Sequence, residues 1–148
     1  MGPQPDQQAL SAGPEDAPVG AQALPLSLSQ REVWRNQQAW PQSAHLNIGG
    51  GAFLEGPLDL ERFQRSLARL VAENEALRLA SQPDGSQLLL PTLDLRERLH
   101  HVDVSGAADP RQAMRDWWLQ WIRQPFVLDG TPPWRFALLR ASDTLHGL

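Results

Sequence analysis

Residues 54–80, LEGPLDLERFQRSLARLVAENEALRLA, decide how the rest of the chain can fold. A Gly56-Pro57 turn opens into the clearest amphipathic pattern in the sequence. Leu60, Phe63, Leu67, Leu70, Val71 and Leu77 recur at i, i+3, i+4 and i+7, the spacing that brings side chains onto one face of a 3.6-residue helix. Asp59 is the expected N-cap: its carboxylate can accept from orphan amides of the first turn, and Glu61 adds negative charge where the helix dipole favours it. On the outer face, Glu61 with Arg65 and Arg69 with Glu73 form i,i+4 pairs worth a few tenths of a kcal/mol each. Burial of the apolar face, at roughly 1.5–3 kcal/mol per large side chain, must therefore hold the helix. The remainder of the chain is expected to pack onto it.

Upstream, LPLSLSQREVWRNQQAWP (24–41) reads as a short helix closed by Pro41. Local chemistry offers Ser29 as its N-cap, with Glu32 completing a capping box and Leu28 with Val33 a hydrophobic staple. Between the two helices, Leu46, Ile48, Ala52 and Leu54 alternate as a strand with one buried face would. The run Gly49-Gly50-Gly51 within that stretch signals a bulge or the close approach of another backbone or a ligand. It is not read as a phosphate loop, because the following Lys and the strand-to-helix context are missing.

Downstream, Pro83-Asp84-Gly85 is a turn between Arg78–Ser81 and Gln87–Leu90, which predicts a hairpin. A short strand follows around Val102 and Val104. Asp109-Pro110 opens a third helix with Pro at N1 and Gln112 placed to close a capping box. Ala113, Met114, Trp117, Trp118, Trp121 and Ile122 recur at helical spacing until Pro125 stops the helix. The tryptophans read as core packing rather than as a stacking platform for a substrate. Last, FVLDGTPPWRFALLRA (126–141) gives a turn and then a strand apolar on both faces, as an interior strand should be.

A length of 148 residues with 41% apolar content suits one domain with a real core. Thirteen basic against 17 acidic residues give a net charge of −4, and the basic ones are scattered, which argues against a nucleic-acid or anionic membrane surface. The chain has no cysteine, so thiol nucleophiles, disulfides and thiolate metal sites are excluded. MGPQPDQQAL lacks the basic and apolar regions of a signal peptide, and no run approaches a membrane span, so a cytoplasmic location is expected. Residues 1–23, with four prolines and three glycines, read as a disordered leader, or alternatively as a short docking segment; residues 24–148 form the ordered part.

Four stretches, in order, resemble the condensation domains of nonribosomal peptide synthetases. Pro25, Leu26, Ser27, Gln30 and Trp34 match an opening PLSxAQxxxW, with Ser29 in place of the usual Ala; this resemblance points to Ser27 rather than Ser29 as the cap, and both stay open. Asn47-Ile48 matches a Tyr-Asn-Ile segment, with His45 and Leu46 around the usual tyrosine. Glu75, Leu77 and Arg78 match the ending RHExLRT, whereas Glu73, Asn74 and Leu79 replace its Arg, His and Thr. Pro125, Phe126, Leu128, Gly130, Pro133 and Arg135–Arg140 match a Pro-Phe-Asp-Leu turn and a Leu-Arg-Ala-Arg strand.

The resemblance implies an α/β fold of the α+β type: the N-terminal segment of a chloramphenicol-acetyltransferase-like lobe, a mixed sheet flanked by helices. It implies amide formation between a carrier-bound acyl or peptidyl donor and an aminoacyl acceptor, with no cofactor bound directly and the substrates carried on phosphopantetheine. Carrier domains and the remainder of a synthetase are the implied partners. The family signature is HHxxxDG, whose second His serves as general base or positions the amine. His100-His101 does not supply it: the sequence reads HHVDVSG, with Ser105 where Asp should stand, and the pair precedes the Leu-Arg-Ala-Arg strand instead of following it. Both are expected to be surface histidines. The motif is expected beyond Leu148, with His146 on the strand approaching it, so no catalytic residue is assigned in this chain, and the 148 residues alone are expected to be inactive. No metal site or Ser/His/Asp triad is arguable from His45, His100, His101 and His146. Ser27, Gln30, Trp34, Glu75 and Arg78 carry the motif resemblance. Arg78 is expected to grip the Asp of HHxxxDG and, without it, to lie solvated or to pair with Asp94 or Asp103. Leu77-Arg78-Leu79 in place of LRT is closer to domains that open siderophore synthetases. The alternatives are another acyltransferase of the superfamily, acyl-carrier or acyl-CoA dependent, and a non-catalytic docking fragment.

Overall fold

The computed structural model describes residues 18–148. Along the chain run β1 (Gln22–Leu24), α1 (Leu28–Ala39), β2 (Phe53–Glu55), α2 (Leu60–Glu73), β3 (Leu79–Ser81), β4 (Gln87–Leu89), β5 (Leu99–Asp103), α3 (Pro110–Trp121), β6 (Phe136–Ser142) and β7 (Leu145–Gly147). Two sheets result, an antiparallel β1-β4-β3 and a mixed β2-β7-β6-β5. Among the described strands only β5 and β6 pair in parallel, because α3 carries the chain between them as a crossover; β6 and β7 are joined by a tight turn and run antiparallel. The expected mixed α/β architecture is thus present.

Its centre is β6 rather than α2. The period-2 alternation of β6 sends Ala137, Leu139 and Ala141 to a cluster with Met114 of α3, and Leu138 to the opposite face, where it meets Leu67 of α2 and Leu99 of β5. One helix therefore covers each face of the sheet. α2 buries Leu67 and Val71 fully, while Leu60 and Leu70 remain 43% and 47% exposed, so the apolar stripe is wider than the surface it meets. The predicted N-cap holds, with Asp59 accepting from the Arg62 amide at 2.9 Å. The helix ends at Glu73 instead of running through Leu77. Asn74 is extended and its side-chain amide donates to the Leu70 carbonyl at 2.6 Å, after which Glu75–Arg78 forms a 3₁₀ turn.

Other expectations are revised where tertiary contacts outweigh local pattern. Of the two caps left open for α1, Ser27, to which the resemblance points, is the one formed, and the local reading of Ser29 is not: the Ser27 hydroxyl accepts from the Gln30 amide at 3.3 Å while Gln30 Oε1 accepts from the Ser27 amide at 2.8 Å. Leu28 and Val33 are exposed and make no buried staple; the buried residue before the cap is Leu26. Ser27→Ala is expected to cost about 1 kcal/mol, and Ser29→Ala almost nothing, in thermal unfolding. In α3, Asp109 caps the Gln112 amide at 3.0 Å, but the Gln112 side chain turns to Asp116, so the capping box is half made. The strand expected from Leu46 begins only at Phe53, and Ile48 is 98% exposed instead of buried. Regular structure begins before Leu24, since Gln22–Leu24 pairs with β4; residues 1–17 of the expected leader lie outside the described residues.

The hairpin of β3 and β4 forms as expected, with Gly85 at φ +84°. Asp84 accepts from the Ser86 amide at 2.9 Å and hydroxyl at 2.7 Å, and these bonds hold its carboxyl below the ordinary carboxylate pKa. A depressed folded-state pKa means the stabilisation is full above the unfolded value and is lost as pH falls through the folded one. Acid unfolding of Asp84→Asn should accordingly depend less on pH than that of the parent.

Candidate functional site

β7 leads the chain into an apolar cleft of about 550 Å³ between the Gly49–Gly51 segment, α3 and the start of β6. The glycines form one wall because α3 lies directly over them. A Cβ on Gly51 would stand 2.3 Å from the Trp118 ring, one on Gly49 would stand 3.0 Å from Ile122 Cδ1, and one on Gly147 of β7 would stand 2.8 Å from Trp118. The close approach expected from the glycine run is thus made by an indole and an isoleucine from α3. Phe53 packs on the same indole, with centroids 5.3 Å apart. The Trp118 Nε1–H is buried without a hydrogen-bond partner among the described residues.

The frame of this cleft is tied to the end of α3. Asn47 donates through Nδ2 to the carbonyls of Ile122 at 2.7 Å and Gln124 at 2.8 Å. Arg135 donates through Nη2 to the carbonyls of Trp121 and Gln124, both at 2.9 Å. Its guanidinium stacks over Trp121 at 4.7 Å and Phe126 at 4.6 Å. Burial lowers the Arg135 pKa, yet a guanidinium stays charged at any physiological pH and here complements the negative end of the α3 dipole.

A second cleft of about 480 Å³ lies at the other end of the sheet, where β5, β6, β7 and the start of α2 meet. Arg140 reaches Asp143 at 2.7 Å and Asp103 at 3.5 Å. Bonds from Ser105, and secondarily Arg140, hold Asp103 below the ordinary carboxylate range, and Asp143 raises Arg140. His146 borders this cleft, only 7% exposed, with Nδ1 unpartnered among the described residues. The charges here are mutually compensated, and no nucleophile in the cleft sits against a base. Among the described residues no group of three His, Asp or Glu side chains is placed to hold a metal, and no helix is long and apolar enough to cross a membrane.

The residues that carried the motif resemblance line neither cleft. Gln30 donates to Gln87 at 3.2 Å and the Trp34 indole to the Gln82 carbonyl at 2.9 Å, so these two fasten α1 to the β3-β4 hairpin, while Ser27 only caps α1 through Gln30. Glu75 is exposed. Arg78 is neither solvated nor paired with Asp94 or Asp103. Its guanidinium donates to four backbone carbonyls: Val71 at 3.3 Å, Ala72 at 3.4 Å, Leu90 at 2.7 Å and Pro91 at 3.3 Å. Asp94 instead caps its own 3₁₀ turn at the Arg96 amide, and Asp103 is engaged by Arg140. His100 and His101 are exposed, as expected, with His100 edge-on to Trp121 at 5.2 Å. Asn47 and Arg135 escape a reading of side-chain chemistry; the only signal for them is their place inside matched segments.

The β5-α3-β6 crossover and the β6-β7 turn, set between two helices, form a mixed α/β lobe that agrees with the chloramphenicol-acetyltransferase-like segment implied by the resemblance. The chain belongs to the Condensation domain family, which matches residues 21–148. It is 31% identical over 134 residues to a linear gramicidin synthase of Brevibacillus parabrevis, covering 84% of this chain and 2% of that protein. It is likewise 31% identical over 120 residues to isonitrile lipopeptide synthase of Streptomyces coeruleorubidus, covering 78% of this chain and 8% of that one. Among solved structures, the starter condensation domain of rhizomide synthetase, in a variant complexed with C8-CoA, superposes with a TM-score of 0.72 at 28% identity, over 84% of this chain and 29% of that one. The chain therefore spans a small fraction of the synthetases and under a third of the solved domain.

Proposed function

We propose that the protein containing these residues condenses a thioester-borne acyl group with the amine of a carrier-bound aminoacyl thioester. The neutral amine attacks the thioester carbon, the C–N bond forms, the C–S bond breaks, and the amine proton leaves with a base as the thiol is released. The observation that carries this reading is the continuous family match over 21–148 together with a fold in which β7 runs into the apolar cleft. The acting histidine of an HHxxxDG motif would follow on that strand, with both substrates held on phosphopantetheine arms of carrier domains in the cytoplasm. The 148 residues alone would be inactive. Incubating the complete gene product with donor- and acceptor-loaded carriers and weighing the acceptor carrier tests this. A mass gain equal to the acyl group is expected, and loss of that gain on replacing the second motif histidine. No gain with any donor, or gain unaffected by that replacement, contradicts it.

A module-opening role, with a fatty acyl donor, is the narrower reading. It is favoured by similarity to a starter domain solved with C8-CoA, and the same assay run with octanoyl against aminoacyl donors separates the two. A siderophore setting rests on the Leu77-Arg78-Leu79 ending alone.

A further inference from the structure

The end of α1 and the turn after it assemble a trio that no spacing in the sequence announces. Ser43, His45 and Asn36 come together because the chain turns at Pro41 and returns along the last turn of α1. His45 Nε2 stands 2.8 Å from Asn36 Oδ1, and Nδ1 stands 2.7 Å from the Ser43 hydroxyl. Asn36 Oδ1 can only accept, so Nε2 carries the imidazole proton and Nδ1 is left to accept from the Ser43 O–H. This is the hydrogen-bond order of a nucleophile, a base and a residue that orients the base, with Asn where a Ser/His/Asp set has Asp.

The serine is held from both sides. Its amide donates to the Trp40 carbonyl at 2.9 Å, and its carbonyl accepts at 3.4 Å from the buried Gln37 side chain, which also reaches the Pro41 and Phe126 carbonyls. The His45 amide donates to Ser43 Oγ at 3.4 Å, where negative charge gathers as the proton leaves. The Ala44 amide, in the position after the nucleophile that commonly stabilises an oxyanion, takes no backbone partner among the described residues. Ser43 is half-buried and His45 exposed, so the pair is open to a reagent.

We propose that Ser43 is a covalent acyl acceptor, with His45 as its general base and Asn36 as the residue that positions the imidazole. The acyl group comes from a thioester, borne by a carrier or by coenzyme A, and only this source rests on the condensation reading. Ser43 Oγ attacks the thioester carbon; the C–O bond forms and the C–S bond breaks. His45 Nδ1 takes the hydroxyl proton and returns it to the departing thiolate, so an ester and a free thiol result and no further reactant is needed. Residues 1–148 contain no lysine and no cysteine, so no side-chain amine or thiol competes for the acyl group in this part of the protein.

Tryptic cleavage isolates 36–62, in which Ser43 is the only hydroxyl side chain. The complete gene product is incubated with octanoyl-CoA and, separately, with octanoyl-loaded carrier, quenched in acid and mapped by mass. Peptide 36–62 is expected to gain one octanoyl group at least about tenfold faster than 79–96, which holds Ser81, Ser86 and Thr92 and no histidine. His45→Gln should slow the gain about a hundredfold and Asn36→Ala about tenfold, whereas Asn36→Asp, which keeps the acceptor, stays within about threefold. Ser43→Ala abolishes it; should that variant not fold, Ser43→Cys keeps a nucleophile beside the same base and is expected to carry the group as a thioester. No gain on 36–62 from either donor, or a gain unaffected by His45→Gln, overturns the proposal, and an unchanged rate in Asn36→Ala removes the positioning role. Amide product with no gain on 36–62 refutes the acceptor and leaves the condensation reading standing; a gain with no amide product does the opposite.

Discussion

Arg78→Ala is expected to destabilise even the 148-residue chain by about 2–3 kcal/mol, read as a drop in unfolding midpoint with an unchanged denaturant slope. Two of its acceptors, Val71 and Ala72, sit in the last turn of α2, and the other two, Leu90 and Pro91, sit at the end of β4. One guanidinium thus satisfies carbonyls that the helix end and the hairpin end would otherwise leave unpaired, and places a cation where the helix dipole is negative. Hydrogen bonds to charged groups contribute about 1.5–3 kcal/mol each, and partial exposure of the group keeps the total near the value of one or two. Arg78→Lys should recover less than half, because an ammonium lacks the planar fork that reaches carbonyls on two elements. A loss below about 0.5 kcal/mol would reduce Arg78 to a simple helix-end charge.

Gly51→Ala is expected to cost about 3 kcal/mol or more, while Gly50→Ala, one residue away, should stay within about 0.5 kcal/mol. The added Cβ at 51 meets three Trp118 ring atoms at 2.3–2.5 Å, and at 50 it meets nothing within 4 Å. Trp118 cannot simply withdraw, since it is also wedged against Phe53 and Gly147. Making Gly51→Ala in a Trp118→Ala background tests the cause: the penalty should largely vanish. A similar cost with and without the indole would locate the effect in the backbone instead.

Legibility follows the range of the interaction. Asp59, Asp109 and the Asp84-Gly85 turn can be read from sequence because each is a side chain bonding a backbone amide a few residues away. The β6 strand is legible because burial on both faces leaves an unbroken apolar run. The partners of Arg78 are not, because its acceptors at Leu90 and Pro91 are brought up by the folding of the hairpin, which no spacing announces. Leu28, Val33 and Ile48 carry the pattern of buried residues and stay exposed, since an apolar side chain is buried only where another element arrives to cover it. The clip at Gln124 is invisible for a similar reason: a backbone carbonyl has no sequence signature, so the donors Asn47 and Arg135 look unrelated until both stand at the end of α3.

On the proposed function, these residues frame a condensation lobe whose acting histidine follows on the strand that β7 begins. Sequencing the transcript through codon 148 and beyond tests it most directly. An apolar strand pattern leading, within about ten residues, to HHxxxDG is the expected result. A stop codon there, or an open frame without that motif, would contradict it.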